Sequence, residues 1–246
     1  MGLFQSGRVA VHLSMSHSDQ TRERSRDGMA GISDEVRQCG DTRHADDALD
    51  TYETISDSWI TRSEQIDIEG LYQPVRDLLP PPPASVLDIG AGTGRDAAWF
   101  AAKGHPVTAA EPAARLRSAG EALHAGKAIE WSDAQLPDLG VLGAGNRYDC
   151  QVMIGVWQHL PEPQRPPAMK RLYELASEKG RVVMSLRHGP GAPGRPVFPI
   201  DAPATAELAK ASGFSVLRSV LMPSMQEWNR KEGVEWTWLV LEALPR

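Results

Sequence analysis

Between Ser85 and Pro112 the chain reads SVLDIGAGTGRDAAWFAAKGHPVTAAEP, a stretch that leaves few folds open to it. Ser85–Ile89 has the length and apolar composition of a strand, and Gly90, Gly92 and Gly94 follow at alternate positions. A helical pattern then fills Arg95–Lys103, and a second apolar run, Val107–Ala110, ends at the acid Glu111. Strand, glycine turn, helix and strand in this order predict a βαβ unit, which requires parallel pairing and a right-handed crossover. Without side chains, the turn lets backbone N–H groups and the helix N-terminus approach a ligand closely. An acid about twenty residues further on stands where it can accept both hydroxyls of a ribose.

The rest of the chain continues the alternation. Ala128–Trp131, Asp149–Val156 and Arg181–Leu186 read as strands, and Ala113–Ala125 and Pro166–Glu178 as helices. Pro166 and Pro167 suit a first helical turn, and Gly104 and Gly180 occupy positions expected of C-terminal caps. After a helix at about 203–212, FSVLRSVLMPS and GVEWTWLVLEAL are two strands with only a loop between them, so they must pair as neighbours or form a hairpin. Both alternating sets of the final strand are mostly apolar, which predicts cover on both faces. The fold class expected is α/β, a doubly wound and mostly parallel sheet with helices on both faces.

Three regions are expected. Residues 1–45 carry few large apolar side chains and read as a disordered leader, within which Met15 and Met29 are alternative initiators. Residues 46–79 read as a helical cover, with Leu49, Tyr52, Ile55, Trp59 and Ile60 on one face and a second helix through Leu71, Val75, Leu78 and Leu79. Pro80–Pro83 stop it, and the main domain occupies 84–246.

Composition narrows the function. A formal charge of −6 argues against a protein that coats nucleic acid, and two cysteines without CxxC spacing support neither a zinc site nor a disulfide scaffold. With no membrane-length apolar run and no secretory pattern at the N-terminus, a cytoplasmic protein without a bound metal or membrane is expected. The turn is GxGxG preceded by Asp88, and an acid there would repel the pyrophosphate that GxGxxG turns hold. The ligand favoured carries an ammonium or sulfonium. A Walker loop is excluded because no GK[ST] stands at the right offset.

These residues resemble the class I S-adenosylmethionine-dependent methyltransferases. VLDIGAGTGRD looks like the family's first motif, and the layout from Ser85 to Leu244, about two-thirds of the chain, is similar to its Rossmann-like seven-stranded sheet with an antiparallel last strand. The resemblance implies S-adenosylmethionine as cofactor and S-adenosylhomocysteine as product. It places Gly90, Gly92 and Gly94 beside the methionine part, Asp88 near its amino group and Glu111 on the ribose. In IEWSDAQLP it implies Asp133 on the adenine amino group, with Ala134 or Trp131 against the ring. In YDCQVMIGVWQHLP it places Gly155 and Val156 beside the cofactor and Trp157, His159 and Leu160 on the acceptor side. Tyr52 and Arg62 of the cover resemble residues that close over the methionine end.

A sulfonium makes its methyl group electrophilic, so the protein's main tasks are alignment and exclusion of water. His159 and His188 are the candidate bases for an oxygen or nitrogen nucleophile. The loop RHGPGAPGRP offers Arg187 and Arg195 to an acceptor, and Trp228 offers an aromatic wall. The fourth-strand motif is not the [DN]PP[YF] associated with amino methylation of nucleic-acid bases or glutamine, and it has no Pro-Cys pair for pyrimidine C5 chemistry. A small-molecule acceptor is therefore the expected partner, with no nucleic acid. A peptide side chain, or a noncatalytic cofactor- or partner-binding role on the same fold, is the alternative.

Overall fold

A computed structural model describes residues 48–140, 142–143, 145–191, 195 and 197–246. The expected leader lies outside them, as does Cys39. The apolar runs read from the sequence form one seven-stranded sheet: β1 (Val86–Ile89), β2 (Val107–Ala110), β3 (Ile129–Ser132), β4 (Tyr148–Ile154), β5 (Ala176–His188), β6 (Phe214–Pro223) and β7 (Glu235–Ala243). Their spatial order is β3-β2-β1-β4-β5-β7-β6. β1 pairs in parallel with both β2 and β4, and β7 alone is reversed, running antiparallel to β5 and to β6. The strand order therefore turns around between β1 and β4, the place where open α/β sheets leave a crevice for ligands.

Side-chain alternation builds a core on each face of the sheet. Leu87 and Ile89 pack with Leu186, Leu239 and Leu241 against α6 (Arg165–Leu175) and α7 (Ala202–Ala211). Val86, Val183 and Val240 face the other way, towards Ala97 and Phe100 of α4 (Arg95–Ala102) and Tyr72 and Val75 of the cover. β7 is buried on both faces from Thr237 to Leu241, as its two apolar sets required. Cys150 lies in this core with its thiol pushed up to about 12 by burial, which leaves it unreactive.

The cover departs from the expected single helix. Helical residues 48–53 (α1) are separated from α2 (Asp57–Glu64) by a turn, because the Ser56 hydroxyl accepts from Trp59 N–H at 3.3 Å and caps a new helix. The second helix is α3 (Ile68–Tyr72) continued as a 3₁₀ segment, Gln73–Leu78, which carries Pro74 in its first turn. Gly104 follows α4 at φ +93°, as a C-terminal cap glycine does. Gly180 does not cap α6, which ends at Leu175. It lies inside β5 in a bulge: Tyr148 pairs with Ala176 and Cys150 with Arg181, so residues 177–180 loop out of register. A side chain at Gly180 would sit 2.8 Å from the Tyr148 carbonyl oxygen, so the bulge needs glycine.

Candidate active site

A cavity of about 570 Å³ opens where the C-terminal ends of β1, β4 and β5 meet the start of β7. Its size falls within the roughly 300–1,000 Å³ usual for small-molecule sites. The glycine turn forms one end. Gly90, Gly92 and Gly94 all have left-handed backbones, at φ +65°, +59° and +78°. Their reasons differ. A Cβ on Gly90 would lie 2.5 Å from Val156, and one on Gly94 would lie 2.6 Å from Trp131. A Cβ on Gly92 would meet nothing within 4 Å, and Gly92 borders the cavity, so its missing side chain leaves room for a ligand.

Acids surround this end. Glu111 accepts from Gly92 N–H at 2.7 Å through Oε2 and from Ala113 N–H at 2.9 Å through Oε1, so each oxygen keeps a lone pair for a hydroxyl. Burial raises the Glu111 carboxyl above its usual range despite these bonds. Asp88 is buried beneath the turn and accepts from Ala97 N–H at 3.0 Å. Burial first, and then the nearby Asp96 charge, push its carboxyl well above the ordinary value, a state that a ligand ammonium would relieve. An open glycine cradle, a braced carboxylate for a ribose and a buried acid for an ammonium fit a nucleoside with an amino-acid tail.

The cover is tied across this end. Glu64 accepts from the Thr93 hydroxyl of the turn, and Arg95 donates to the Ser63 carbonyl at 3.2 Å. Glu53 accepts from the N–H groups of Ala114 and Arg115 at 2.7 and 3.1 Å and so caps α5 (Ala114–Leu123). Arg115 in turn bonds Asp57 at 2.5 Å. Tyr52 and Arg62 thereby border the cavity.

Beyond the glycine turn, β4 ends in a left-handed Gly155 at φ +72°, whose N–H donates to Ser185 Oγ at 2.9 Å. Gly155, Val156, His159 and Leu160 border the cavity. The Tyr52 hydroxyl and His159 Nε2 are 3.3 Å apart. With the His159 proton on Nδ1, the hydroxyl donates to Nε2; with the proton on Nε2, the direction reverses. Burial raises the Tyr52 phenol above its usual value, and the Arg195 guanidinium beside it opposes that shift.

The structure does not gather every candidate. Trp157 is fully buried in the core and does not reach the cavity, where its neighbour Gln158 stands instead. His188 points to the opposite face of β5 from Arg187 and pairs with Thr237 Oγ1 at 2.8 Å, away from the cavity. Asp133 is exposed next to Ala134, which does line the cavity, and Trp131 packs against Gly94 and Gly120 instead of facing a ligand. Arg187, Arg195 and Trp228 border the cavity. Ser185, Trp236 and Trp238 were not singled out as site residues, although strand register reveals them: Ser185 pairs with Trp238 and Arg187 with Trp236, so these four share one sheet face. Among the described residues no group of three or more metal-binding side chains is assembled, and no helix is long and apolar enough to cross a membrane.

The sheet order, the glycine cradle and its acids define a class I S-adenosylmethionine-dependent methyltransferase. The chain belongs to the methyltransferase-domain family, which matches residues 64–241. Among solved structures it is similar to the 1,6-didemethyltoxoflavin-N1-methyltransferase of Burkholderia thailandensis with bound 1,6-didemethyltoxoflavin and S-adenosylhomocysteine. That pair shares 22% identity over 92% of this chain and 94% of the other, with a TM-score of 0.59. It is also similar to the magnesium protoporphyrin IX methyltransferase of Synechocystis with bound S-adenosylhomocysteine (16% identity, 81% and 99% coverage, TM-score 0.60). A third is an S-adenosylmethionine-dependent methyltransferase of Leishmania major (18% identity, 80% and 82% coverage, TM-score 0.65). No curated protein sequence matches the chain.

Proposed function

We propose that the enzyme methylates an oxygen or nitrogen nucleophile of a small molecule. The observation that carries this reading is the meeting, in one covered cavity, of the glycine cradle with the Tyr52–His159 pair at the end of β4. The Burkholderia neighbour acts on a small molecule within a chain of comparable extent, which supports the same acceptor size here.

The roles follow from position. Gly92, Glu111, Asp88, Ala134 and Arg62 hold the cofactor, which supplies an electrophilic methyl group when bound. Gly155 and Val156 shape the floor between cofactor and acceptor. The nucleophile gives its proton to the Tyr52 oxygen as the Tyr52 hydroxyl passes its own to His159 Nε2, so the two side chains act together as the base. The covering helices exclude water.

Formation of S-adenosylhomocysteine from S-adenosylmethionine, measured across a panel of small hydroxy and amino compounds, tests the reading. His159→Gln should lower kcat by roughly 10²–10⁴-fold and remove an ionisation from the pH–rate profile. An unchanged profile would refute the base assignment. Tight S-adenosylhomocysteine binding without turnover of any small acceptor, but with methylation of a peptide, would refute the acceptor class.

A further inference from the structure

The acceptor end of the cavity holds two arginines that no acid among the described residues neutralises. Arg187 is fixed by the protein: its Nε and Nη2 donate to the Pro190 carbonyl at 3.0 and 2.6 Å, and Nη2 also reaches Asn229 Oδ1 at 3.3 Å. Asn229 is itself buried and held by Gln226 at 2.6 Å. The two protons on Nη1 have no acceptor among the described residues. Arg195 lies beside Tyr52 and over the Trp59 ring at 5.6 Å, and Arg187 lies over Trp236 at 5.4 Å. Neither arginine has an ion-pair partner among the described residues. Burial, and then the charge of Arg195, depress the Arg187 pKa, so the two guanidinium groups repel each other across the site.

The acids of the cavity are engaged elsewhere. Asp88 and Glu111 accept from backbone N–H groups, and Asp96 accepts from Arg95 Nε at 2.7 Å and the Tyr72 hydroxyl at 3.1 Å. The cofactor's own carboxylate does not account for the pair. β5 stands two strands from β1, a separation of about 10 Å from the glycine turn at the usual strand spacing. Arg62, adjacent in sequence to the Ser63 that accepts from Arg95 at the start of α4, also lines the cavity. The walls here are aromatic: Trp59, Trp228 and Trp236, with Trp228 47% exposed at the mouth.

We propose that the acceptor is a planar aromatic anion, its acidic group held by Arg187 and Arg195 and its ring between the tryptophan side chains. The anion removes the repulsion between the guanidinium groups and fixes the ring's direction, presenting its nucleophile towards the Tyr52–His159 pair. This inference rests on the methyltransferase reading above.

The test is calorimetric titration of the full chain saturated with S-adenosylhomocysteine, using 2-naphthoate and its neutral match 2-naphthamide. The acid should bind at least about tenfold more tightly than the amide, as a charge-assisted arginine contact implies. That preference should vanish in R187M/R195M, while the S-adenosylhomocysteine dissociation constant, which also reports that the variant is folded, stays within about threefold. A still tighter 2-naphthyl phosphate would keep the anion and identify its group as a phosphate. Equal binding of acid and amide, a preference that survives in the double variant, or no binding of either probe would overturn the inference and leave the methyltransferase reading intact. A fall in S-adenosylhomocysteine affinity parallel to arginine loss would assign the pair to the cofactor and overturn it as well. If the wild type did not bind S-adenosylhomocysteine, the underlying reading itself would fail, and this one with it.

Discussion

Gly92→Ala should separate folding from ligand binding. At φ +59° the residue is left-handed, which costs an alanine about 1–2 kcal/mol, and its Cβ would meet nothing within 4 Å, so no clash adds to that cost. In a domain of this size each kcal/mol lowers Tm by about 2–4 °C, which predicts a fall of roughly 2–8 °C for the free protein. Ligand at about 100 times its dissociation constant stabilises the wild type by about 2.7 kcal/mol, or roughly 5–11 °C. A methyl group in the cradle should weaken S-adenosylhomocysteine about 100-fold, which leaves the variant near half-saturation at that concentration. Stabilisation then drops to about 0.4 kcal/mol, a shift of about 1–2 °C. Gly94→Ala should behave oppositely, because its Cβ would lie 2.6 Å from Trp131 and the folded state itself must shift. Thermal unfolding of both variants with and without S-adenosylhomocysteine decides the matter. A full ligand shift in Gly92→Ala, or a loss of free-protein stability equal to that of Gly94→Ala, would refute the reasoning.

Glu111→Ala should raise the S-adenosylhomocysteine dissociation constant by roughly 150-fold, the equivalent of about 3 kcal/mol, because two charge-assisted acceptors are lost; calorimetry would show it. The pKa of Asp88 is raised in the fold, so the protonated carboxyl favours folding: the contribution is intact below its unfolded pKa of about 3.9 and is lost as pH rises through the folded value. Asp88→Asn should therefore gain in urea midpoint over the ligand-free wild type as pH rises from 4 to 8, and a constant difference would contradict the sign. Gly120→Ala would put a Cβ 2.3 Å from Trp131 and 2.7 Å from the Thr93 carbonyl oxygen, so it should cost about 1–3 kcal/mol in chemical denaturation. Adding Trp131→Leu should recover part of that loss, and strict additivity of the two substitutions would show that the contact does not matter.

The end of the candidate site built on the glycine turn was legible in the sequence because its parts are local: a strand, three glycines, a helix start and an acid at the next strand end. The adjacency of the last two strands was legible too, since two apolar runs separated only by a loop pair as neighbours or form a hairpin, and the family resemblance implied the reversal of the last. The acceptor half was less so, because it depends on which way single residues face. Arg187 and His188 are adjacent on one strand and so point to opposite faces; naming both meant that one had to miss the cavity. The left-handed Gly155 and the 3₁₀ turn Trp157–His159 likewise break any simple period, so Trp157 turned into the core while Gln158 and His159 faced the ligand space. The Ser56 cap and the β5 bulge escaped for a related reason. Both are local conformations selected by hydrogen bonds and register, and hydrophobic periodicity does not report them.

The reversal of β7 also governs how this enzyme can change. A parallel strand in that place would begin at the opposite edge of the sheet, whereas the reversed one begins at the cavity and delivers Trp236 and Trp238 directly to it. The hairpin between β6 and β7, with Trp228 and Asn229, hangs from the same rim. Four residues lining the proposed acceptor end, Trp228, Asn229, Trp236 and Trp238, thus come late in the chain, whereas the glycine turn and its acids lie before residue 112. With the acceptor bound as proposed, insertions or substitutions in the hairpin would alter which molecule is methylated while leaving the glycine turn in place, so the two halves of the reaction could diversify independently.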